Sequence, residues 1–465
     1  MDLARLFEAQ HAASRRSSPG YRERVSALRG LEKSLLQHKD SIVEAAFEDF
    51  GGRAPEETLA LELFPVLNEI RHAVRHLYRW MKPFPASVPW QFWPARARIY
   101  YQPLGVVGVM APWNYSLLLS LGPVVGALAA GNAVMVKPSE GAPCMAELLQ
   151  TIVANAFPPE KAVVITGGVD IADAFSRLSF DHLLFTGSTR VGRLVMRAAS
   201  ENLTPVTLEL GGKSPALIHP SYPLKRAAER IIAGKLYNAG QTCVAPDFVL
   251  VDKPRAHEFV RLLREAAAQL YPTLVANPDY TRIINVSQYR RLASLVEHAS
   301  AVGARVSVIN PASELCNEVN RVFPPTIVES IPKESTLLDE EVFGPILPVV
   351  TYRSTDAAID FCNNFPRPLA FYYFDTSKSR IRDVLSRTMS GGGTINGCVF
   401  HLGIPDLPFG GVGPSGMGSY HGFAGFSTFS HAKGFLIQGR WTPLSLLRPP
   451  FNPTARRIIR FLLGT

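Results

Sequence analysis

Hydrophobic positions follow two different rhythms along the 465-residue chain. Near the N-terminus they recur at helical spacing, which predicts an amphipathic helix over 21–47 and a second long helix over 56–81, kinked at Pro65. Beyond residue 105 the chain alternates between helical segments and short aliphatic runs that end in Gly, Pro or Ser. These runs are "GVVGVMAP", "AVMVKPSE", "AVVITGG", "HLLFTGS" and "PVTLELGG". The alternation predicts βαβ units and a parallel sheet.

A similar rhythm resumes after residue 243. The pattern predicts a strand at 247–252, a helix at 255–270 and later strands near 346–352 and 371–374. We therefore expect an α/β protein with two lobes joined near residue 210.

Residues 99–136 contain no charged side chain and are long enough to suggest a transmembrane helix. Prolines, asparagines and glycines interrupt them, so a buried strand, loop and helix fit better. We predict that the chain has no membrane span.

Composition and charge argue against several classes of protein. The chain is 47% hydrophobic and 19% charged, a globular balance. The net charge of +9 is spread without a long basic run or a nucleic-acid motif, so we expect no nucleic-acid partner. The N-terminus has early acidic residues and no apolar core segment, which does not resemble a secretory signal.

Cysteine and histidine placement argues against a metal site. The five cysteines are scattered and form no CxxC pair, which disfavours a zinc site or a disulfide framework and favours a reducing, cytoplasmic location. His72 and His76 lie one helical turn apart, but no zincin glutamate follows, and we interpret them as part of a solvated face. The prediction is that no metal is bound.

Two stretches suggest a nucleotide site. Gly187 and Ser188 lie in a glycine-rich turn between a strand and a helix, where backbone N–H groups can meet a phosphate. Lys137 and Glu140 follow another strand, where they can contact ribose hydroxyls or phosphate. Neither stretch is a Walker A loop or a full GxGxxG motif, and each alone is also compatible with an ordinary surface loop.

Two residues are candidates for the chemistry. Glu209 closes a strand before a Gly-Gly turn, so it is either a desolvated general base or an ordinary strand-end carboxylate. Cys243 follows a predicted helix at 225–238 and a Gly-Gln-Thr turn. It can be a core residue, a metal ligand, a disulfide half or a nucleophile. The local evidence alone favours a buried structural cysteine.

Seven motifs taken in order identify a family. "PWNY", "KPSE", "FTGST", "LELGGKSP", "NAGQTCVAPD", "EEVFGPILP" and "LPFGGVGPSGMGSYHG" resemble the aldehyde dehydrogenase superfamily. The "SGMGSYHGFAGFSTFSH" ending looks like its class 3 branch. Further segments, such as "VPWQFWPARARIYYQPLGVVG", are similar to bacterial coniferyl aldehyde dehydrogenases.

The resemblance implies a role for individual residues. Cys243 matches the nucleophile that attacks the aldehyde carbon. Asn114 matches the side-chain donor that joins the Cys243 backbone N–H in an oxyanion hole, and Glu209 matches the base that activates water. The residues implied in cofactor binding are Trp113, Lys137, Glu140, Gly187, Ser188, Glu341 and Phe343.

The resemblance also implies the architecture. It consists of a Rossmann-like NAD(P)-binding domain (1–84 and 106–210), an α/β catalytic domain (211–419) and a small bridging or oligomerisation element with the C-terminal tail (85–105 and 420–465). The expected assembly is a homodimer. The basic, apolar tail is expected to dock on its own domain or on a partner subunit rather than on an anionic membrane.

The expected substrate is an aldehyde, either aromatic such as coniferyl aldehyde or medium-chain aliphatic. Tyr115, Phe400 and His401 are candidates for lining a substrate funnel. NAD is expected because Glu140 would repel a 2′-phosphate, although NADP stays open. Desolvation and a cationic nicotinamide are expected to favour the Cys243 thiolate.

Two departures from the family pattern bear on the pocket. Ser116 stands where this branch often has proline, which predicts a looser loop around Asn114. Gly397 replaces a usual Asn-Asp pair, which affects substrate preference more than catalysis.

Three other functions remain open from the sequence. They are a CoA-acylating or semialdehyde dehydrogenase on the same fold, a non-redox thiol hydrolase or acyltransferase, and a catalytically silent binding or structural protein. Glu209 and Cys243 together favour oxidation followed by hydrolysis.

Overall fold

The computed structural model describes residues 3–440 and 442–464. Its α-helices are α1 Leu3–Arg16, α2 Tyr21–Gln37, α3 Lys39–Phe50, α4 Pro55–Thr58, α5 Phe64–Trp80, α6 Ser116–Ala130, α7 Pro143–Ala156, α8 Val169–Ser176, α9 Thr189–Ser200, α10 Leu224–Leu236, α11 Ala256–Leu270, α12 Val286–Ala301, α13 Thr355–Asn363, α14 Lys378–Arg387, α15 Gly422–Thr428 and α16 Pro453–Leu463. Its strands are β1 Phe84–Ala86, β2 Arg96–Pro103, β3 Val106–Met110, β4 Ala133–Lys137, β5 Ala162–Val164, β6 His182–Gly187, β7 Val206–Leu210, β8 Pro215–Ile218, β9 Phe248–Asp252, β10 Arg305–Val308, β11 Thr326–Glu329, β12 Ile346–Tyr352, β13 Ala370–Phe374, β14 Gly392–Ile395, β15 Gly416–Met417 and β16 Ser430–Ile437.

The first α/β unit is a six-stranded sheet in the order β15-β7-β6-β3-β4-β5. Five of its strands are parallel, and β15 adds to β7 in the antiparallel direction. The five aliphatic runs of the sequence form these parallel strands, which confirms the predicted βαβ pattern. Because parallel strands end at one edge, β3, β4, β6 and β7 deliver their following loops to the same place.

The second unit is a seven-stranded sheet in the order β10-β11-β12-β9-β8-β13-β14. All pairs in it are parallel except β10 with β11. Strands β9, β12 and β13 and helix α11 lie where the apolar pattern predicted them. The prediction of an α/β protein is therefore confirmed.

A third, antiparallel sheet consists of β1, β2 and β16. The outer strand β16 keeps Phe435, Leu436 and Ile437 almost half exposed. Helix α16 is likewise mostly exposed, and its Phe461 ring lies 6.3 Å from that of Trp90.

The uncharged stretch 99–136 folds into the end of β2, then β3, α6 and most of β4. Helix α6 is buried at nearly every position, as predicted for a core segment. Across residues 3–440 and 442–464, no helix is both long and apolar enough to cross a membrane.

The N-terminal helices differ from their prediction in detail. The predicted helix over 21–47 is two helices, because the chain turns at His38 between α2 and α3. The predicted second helix continues through α4, a π-helical turn at Leu59–Leu63 and α5, and Pro65 lies directly after the π-helical turn.

The interpretation of His72 as a solvated residue is wrong. Its side chain is buried because helix α15 packs on α5, and its ring lies 5.7 Å from that of Trp80. Its Nε2 atom lies 3.3 Å from Asp406. Among the residues that the structure describes, no group of three or more His, Cys, Asp or Glu side chains is arranged to hold a metal.

Candidate active site

A cavity of about 650 Å³ opens at the carboxyl edge of the six-stranded sheet and reaches the loops of the second sheet. All ten residues that the sequence analysis singled out for chemistry or cofactor binding line it. They are Trp113, Asn114, Lys137, Glu140, Gly187, Ser188, Glu209, Cys243, Glu341 and Phe343. The fold thus brings together residues that lie far apart in the sequence.

The loop that carries Cys243 has an unusual backbone. Helix α10 ends at Leu236, and the next residues Asn238 and Ala239 adopt left-handed angles, with φ of 53° and 49°. Gly240 also has a positive φ of 75°, and a Cβ atom there would overlap the Gly344 carbonyl. Only glycine fits this close approach. The sharp turn directs the half-buried Cys243 to the cavity.

Asn114 is tied to the same loop. The side-chain Nδ2 atom of Asn114 donates to the Gln241 backbone carbonyl at 3.0 Å. The backbone carbonyl of Asn114 accepts from Asn238 Nδ2, also at 3.0 Å. An amide nitrogen carries two hydrogens, so Asn114 retains a second donor beside the cavity that it lines. The amide and the thiol are therefore held by one hydrogen-bonded unit.

Ser116 contributes a local restraint where proline was expected. Its hydroxyl oxygen lies 3.2 Å from the Trp113 carbonyl and 3.4 Å from the Pro112 carbonyl, and it donates toward both. The loop before α6 is thus connected by side-chain hydrogen bonds as well as by its bonds to the Cys243 loop.

Glu209 is a buried carboxyl group without a charged partner. It is 2% exposed, and neither of its carboxylate oxygens has a hydrogen-bond partner. Burial raises the pKa of Glu209 well above its usual range, because no nearby donor stabilises the ionised form. This is the environment expected of a carboxyl that exchanges protons in a reaction.

Glu341 also lines the cavity and lies against Gly211. A Cβ atom at Gly211 would overlap the Glu341 carboxylate, so the approach requires glycine there. The Gly212 N–H donates to the Glu341 carboxylate, whereas the Oε1 atom of Glu341 has no hydrogen-bond partner. Burial raises the pKa of Glu341 to about 8, with Asp247 adding to the rise.

The environment of Cys243 contradicts one expectation. Burial, together with the nearby Glu341 and Glu209, raises the pKa of the Cys243 thiol to about 12. Desolvation therefore disfavours the thiolate, since it penalises the charged form. The backbone N–H groups of Cys243 and Val244 act in the opposite direction but are outweighed.

The cavity also has features of a nucleotide site. Ser188 caps the twelve-residue helix α9, whose N-terminus faces the cavity with Gly187. Lys137 is buried, and its Nζ atom lies 3.6 Å from Glu140. Burial lowers the pKa of Lys137, and Glu140 opposes that effect. Trp113 and Phe343 meet edge to face at 5.5 Å.

A family model described as "Aldehyde dehydrogenase family" matches residues 4–435. The chain belongs to the aldehyde dehydrogenase family. Its reaction is the NAD(P)-dependent oxidation of an aldehyde, which confirms the activity that the motifs implied.

Individual relatives cover almost the whole enzyme. A probable coniferyl aldehyde dehydrogenase of Pseudomonas aeruginosa is 46% identical over 98% of this chain and 95% of its own. A dimeric, NADP-preferring aldehyde dehydrogenase of Rattus norvegicus is 38% identical over 89% and 90%. The substrate-bound structure of Staphylococcus aureus AldH superposes with a TM-score of 0.93 at 35% identity and covers 99% of this chain and 100% of that one.

The three residues suggested for a substrate funnel are not part of this cavity. The residues that line the cavity do not include Tyr115, Phe400 or His401. Tyr115 is buried and bonds to Thr242 at 2.8 Å, so it supports the Cys243 loop from behind. Phe400 is 60% exposed and contacts the Tyr237 ring, and His401 contacts Thr394.

A buried charge network behind the site has no counterpart in the sequence analysis. Arg53 pairs with Glu62, and its guanidinium lies 5.1 Å from the Tyr115 ring. Glu62 also accepts from the Leu117 N–H at 2.8 Å, at the start of α6. Glu57 accepts from the Asn238 N–H on the Cys243 loop. The sequence "GGRAPEETLALEL" does contain a sign of this network, because charged residues interrupt an apolar helical face there.

Replacing Arg53 with methionine is expected to destabilise the enzyme. The change leaves Glu62 buried without its cation, a situation that costs about 3–5 kcal/mol of unfolding free energy. Urea denaturation measures it directly. Arg290→Met, which breaks the exposed pair with Glu318, is the control and should change stability little. Equal effects from the two variants would contradict a special role for the buried network.

Proposed function

We propose that Cys243, Asn114 and Glu209 carry out the oxidation, as nucleophile, oxyanion donor and general base. The observation that supports this assignment is the shared cavity, which a thiol, an amide and an unpaired buried carboxyl all line. Asn114 and the Cys243 loop are also hydrogen-bonded to each other, which fixes the donor relative to the nucleophile.

The reaction follows from these groups. The Cys243 sulfur attacks the aldehyde carbon, and the Asn114 amide donates to the oxygen as it gains negative charge. A nicotinamide held in this cavity would supply the acceptor for the hydride that leaves this carbon. Cys243 holds the carbon throughout and carries it afterwards as a thioester. Glu209 then takes a proton from water, the hydroxide attacks the thioester, and the acid leaves as the thiol is regenerated.

The cavity residues fit a dinucleotide. Helix α9 offers its N-terminus to the pyrophosphate through Gly187 and Ser188. Lys137 and Glu140 would hold the adenosine ribose. Glu341, whose Oε1 is unsatisfied, would accept from the nicotinamide ribose, with Phe343 and Trp113 beside the ring.

We propose an aromatic aldehyde such as coniferyl aldehyde as substrate, with medium-chain aliphatic aldehydes as the second candidate. The support is the name of the Pseudomonas aeruginosa relative and its 46% identity to this chain. A panel of aromatic and aliphatic aldehydes, ranked by kcat/KM, tests the choice. A uniform preference for aliphatic aldehydes would exclude the aromatic assignment.

The acid product separates this proposal from acyl transfer to CoA. Because Glu209 is a buried carboxyl beside the thiol, water is the expected acceptor. Product analysis with and without CoA should yield the carboxylic acid in both cases. Formation of acyl-CoA, or turnover without a nicotinamide cofactor, would support a CoA-acylating enzyme or a non-redox thiol enzyme instead.

We propose NAD as the preferred cofactor, because the Glu140 carboxylate would repel the 2′-phosphate of NADP. Glu140→Gln is expected to raise kcat/KM for NADP relative to NAD by about tenfold. Glu147→Gln, on the exposed face of α7, removes the same charge outside the cavity and should leave the ratio unchanged. An unaltered ratio in Glu140→Gln would remove Glu140 from cofactor selection.

We also propose the domain division given above and a homodimer. The exposed apolar residues of β16 support a subunit contact, and light scattering measures the assembly. The five cysteines, none paired among the described residues, support a cytoplasmic location.

A further inference from the structure

The segment 339–343 presents Glu341 and Phe343 to the cavity without regular secondary structure around them. It follows a short 3-10 turn at Thr336–Leu338 and precedes β12. Phe343 has a φ of 47°, which is uncommon for a bulky side chain. Because no strand or helix fixes residues 340–343, other contacts have to hold this backbone.

Three charged side chains supply those contacts. Lys213 Nζ donates to the Glu340 carbonyl at 2.6 Å and to the Leu337 carbonyl at 3.1 Å. Asp247 Oδ1 accepts from the Val342 N–H at 2.8 Å. Arg291 donates to the Val342 carbonyl at 2.6 Å. The peptide groups on both sides of Glu341 are therefore bonded to side chains.

Lys213 and Asp247 also pair with each other and are 6% and 3% exposed. Neither is among the residues that line the cavity, so they act on its contents through the segment they hold. Lys213 follows the Gly211-Gly212 turn against which Glu341 packs. Asp247 lies four residues after Cys243. The pair thus connects the Glu209 strand, the Cys243 loop and the Glu341 segment.

We propose that Lys213 and Asp247 are positioning residues that set the placement of Glu341 and Phe343 toward the cofactor. The inference rests on the proposed role of Glu341 as a ribose ligand. A buried ion pair suits this task, because its charge-assisted hydrogen bonds fix backbone atoms in a water-poor region. It also gives a physical reason for the lysine and the aspartate in "LELGGKSP" and "GQTCVAPD".

The test uses Lys213→Met with Asp247→Asn in the full-length enzyme. The double change removes both charges together, so neither is left buried alone, and the amide oxygen introduced at position 247 still accepts from the Val342 N–H. We expect the KM for NAD to rise about tenfold, because Glu341 and Phe343 are then held less firmly toward the cofactor. A lower melting temperature with an unchanged KM would overturn the proposal.

A milder variant keeps the test informative if the double variant does not fold. In Lys213→Arg, the positive charge beside Asp247 is kept, while a planar guanidinium replaces the ammonium that bonds the Glu340 and Leu337 carbonyls. A rise in the KM for NAD of about threefold is expected. The control is Asp375→Asn with Arg380→Met, which removes a buried carboxylate and its arginine, 2.7 Å apart, outside the cavity. The control should not change the KM for NAD.

Glu341→Gln in the same assay separates this inference from the function it rests on. If Glu341→Gln leaves the KM for NAD unchanged, the ribose role of Glu341 is wrong. If Glu341→Gln raises the KM and the Lys213 and Asp247 variants do not, only their positioning role is overturned. If all three raise it while the control does not, the proposal holds.

Discussion

Replacing Cys243 with alanine is expected to lower dehydrogenase turnover at least about a thousandfold while the Kd for NAD stays within about twofold. Without the sulfur no covalent adduct forms on the enzyme, so the hydride step loses its activated donor. The proposed cofactor contacts are retained, because other residues make them. NADH absorbance reports turnover, and calorimetric titration reports cofactor binding.

Cys362→Ala is the matched control. Cys362 is also a buried thiol whose pKa is raised to about 12 by desolvation, but it lies in the core beneath the second sheet. It should retain turnover. Wild-type activity in Cys243→Ala would exclude Cys243 as the nucleophile. An equal loss of turnover in both variants would indicate disturbed folding rather than the loss of a catalytic group.

The high pKa of Cys243 means that the cofactor-free enzyme holds the thiol almost entirely protonated at neutral pH. A cationic nicotinamide bound in the cavity would act in the opposite direction and stabilise the thiolate that attacks the aldehyde. The sequence alone suggested that desolvation helps this step. The structure contradicts the expectation about desolvation, because burial and the carboxyl groups of Glu341 and Glu209 all disfavour the thiolate.

The parallel strands and the residues at their ends were predictable because both depend on local pattern. Alternating strands and helices place the residues after β3, β4, β6 and β7 at one edge, whatever the details of packing. The role of Cys243 could not be predicted from such a local pattern. Its local sequence favoured a core residue, and only the order of several motifs indicated a nucleophile.

The supporting contacts could not be predicted from the chain. Glu57 meets the Asn238 N–H across 181 residues, and Lys213 meets the Glu340 carbonyl across 127. Such pairs leave no periodic signal, because each partner looks like an ordinary charged residue in its own segment. His72 shows the same limit, since α15 buries it from a distant part of the sequence.

Replacing Glu209 with glutamine is expected to leave the first turnover nearly intact and to slow the release of acid by about 10²–10⁴-fold. Glutamine keeps the shape and removes the base. Stopped-flow absorbance should then show a burst of about one NADH per site followed by a slow steady state. Because burial raises the pKa of Glu209, its ionised form is lost as the pH falls through that pKa. The wild-type hydrolysis rate should decline with acidification, and the glutamine variant should lack this decline.

Glu69→Gln separates the role of Glu209 from the general effect of neutralising a buried carboxyl. Glu69 is also buried, and desolvation raises its pKa to about 7, but it accepts from the Gly422 N–H outside the active-site cavity. It should retain the wild-type steady state and its pH dependence. If Glu209→Gln instead loses the burst, the carboxyl acts before the thioester forms, most directly by taking the proton from Cys243. The burst amplitude therefore decides at which of the two proton transfers Glu209 is needed.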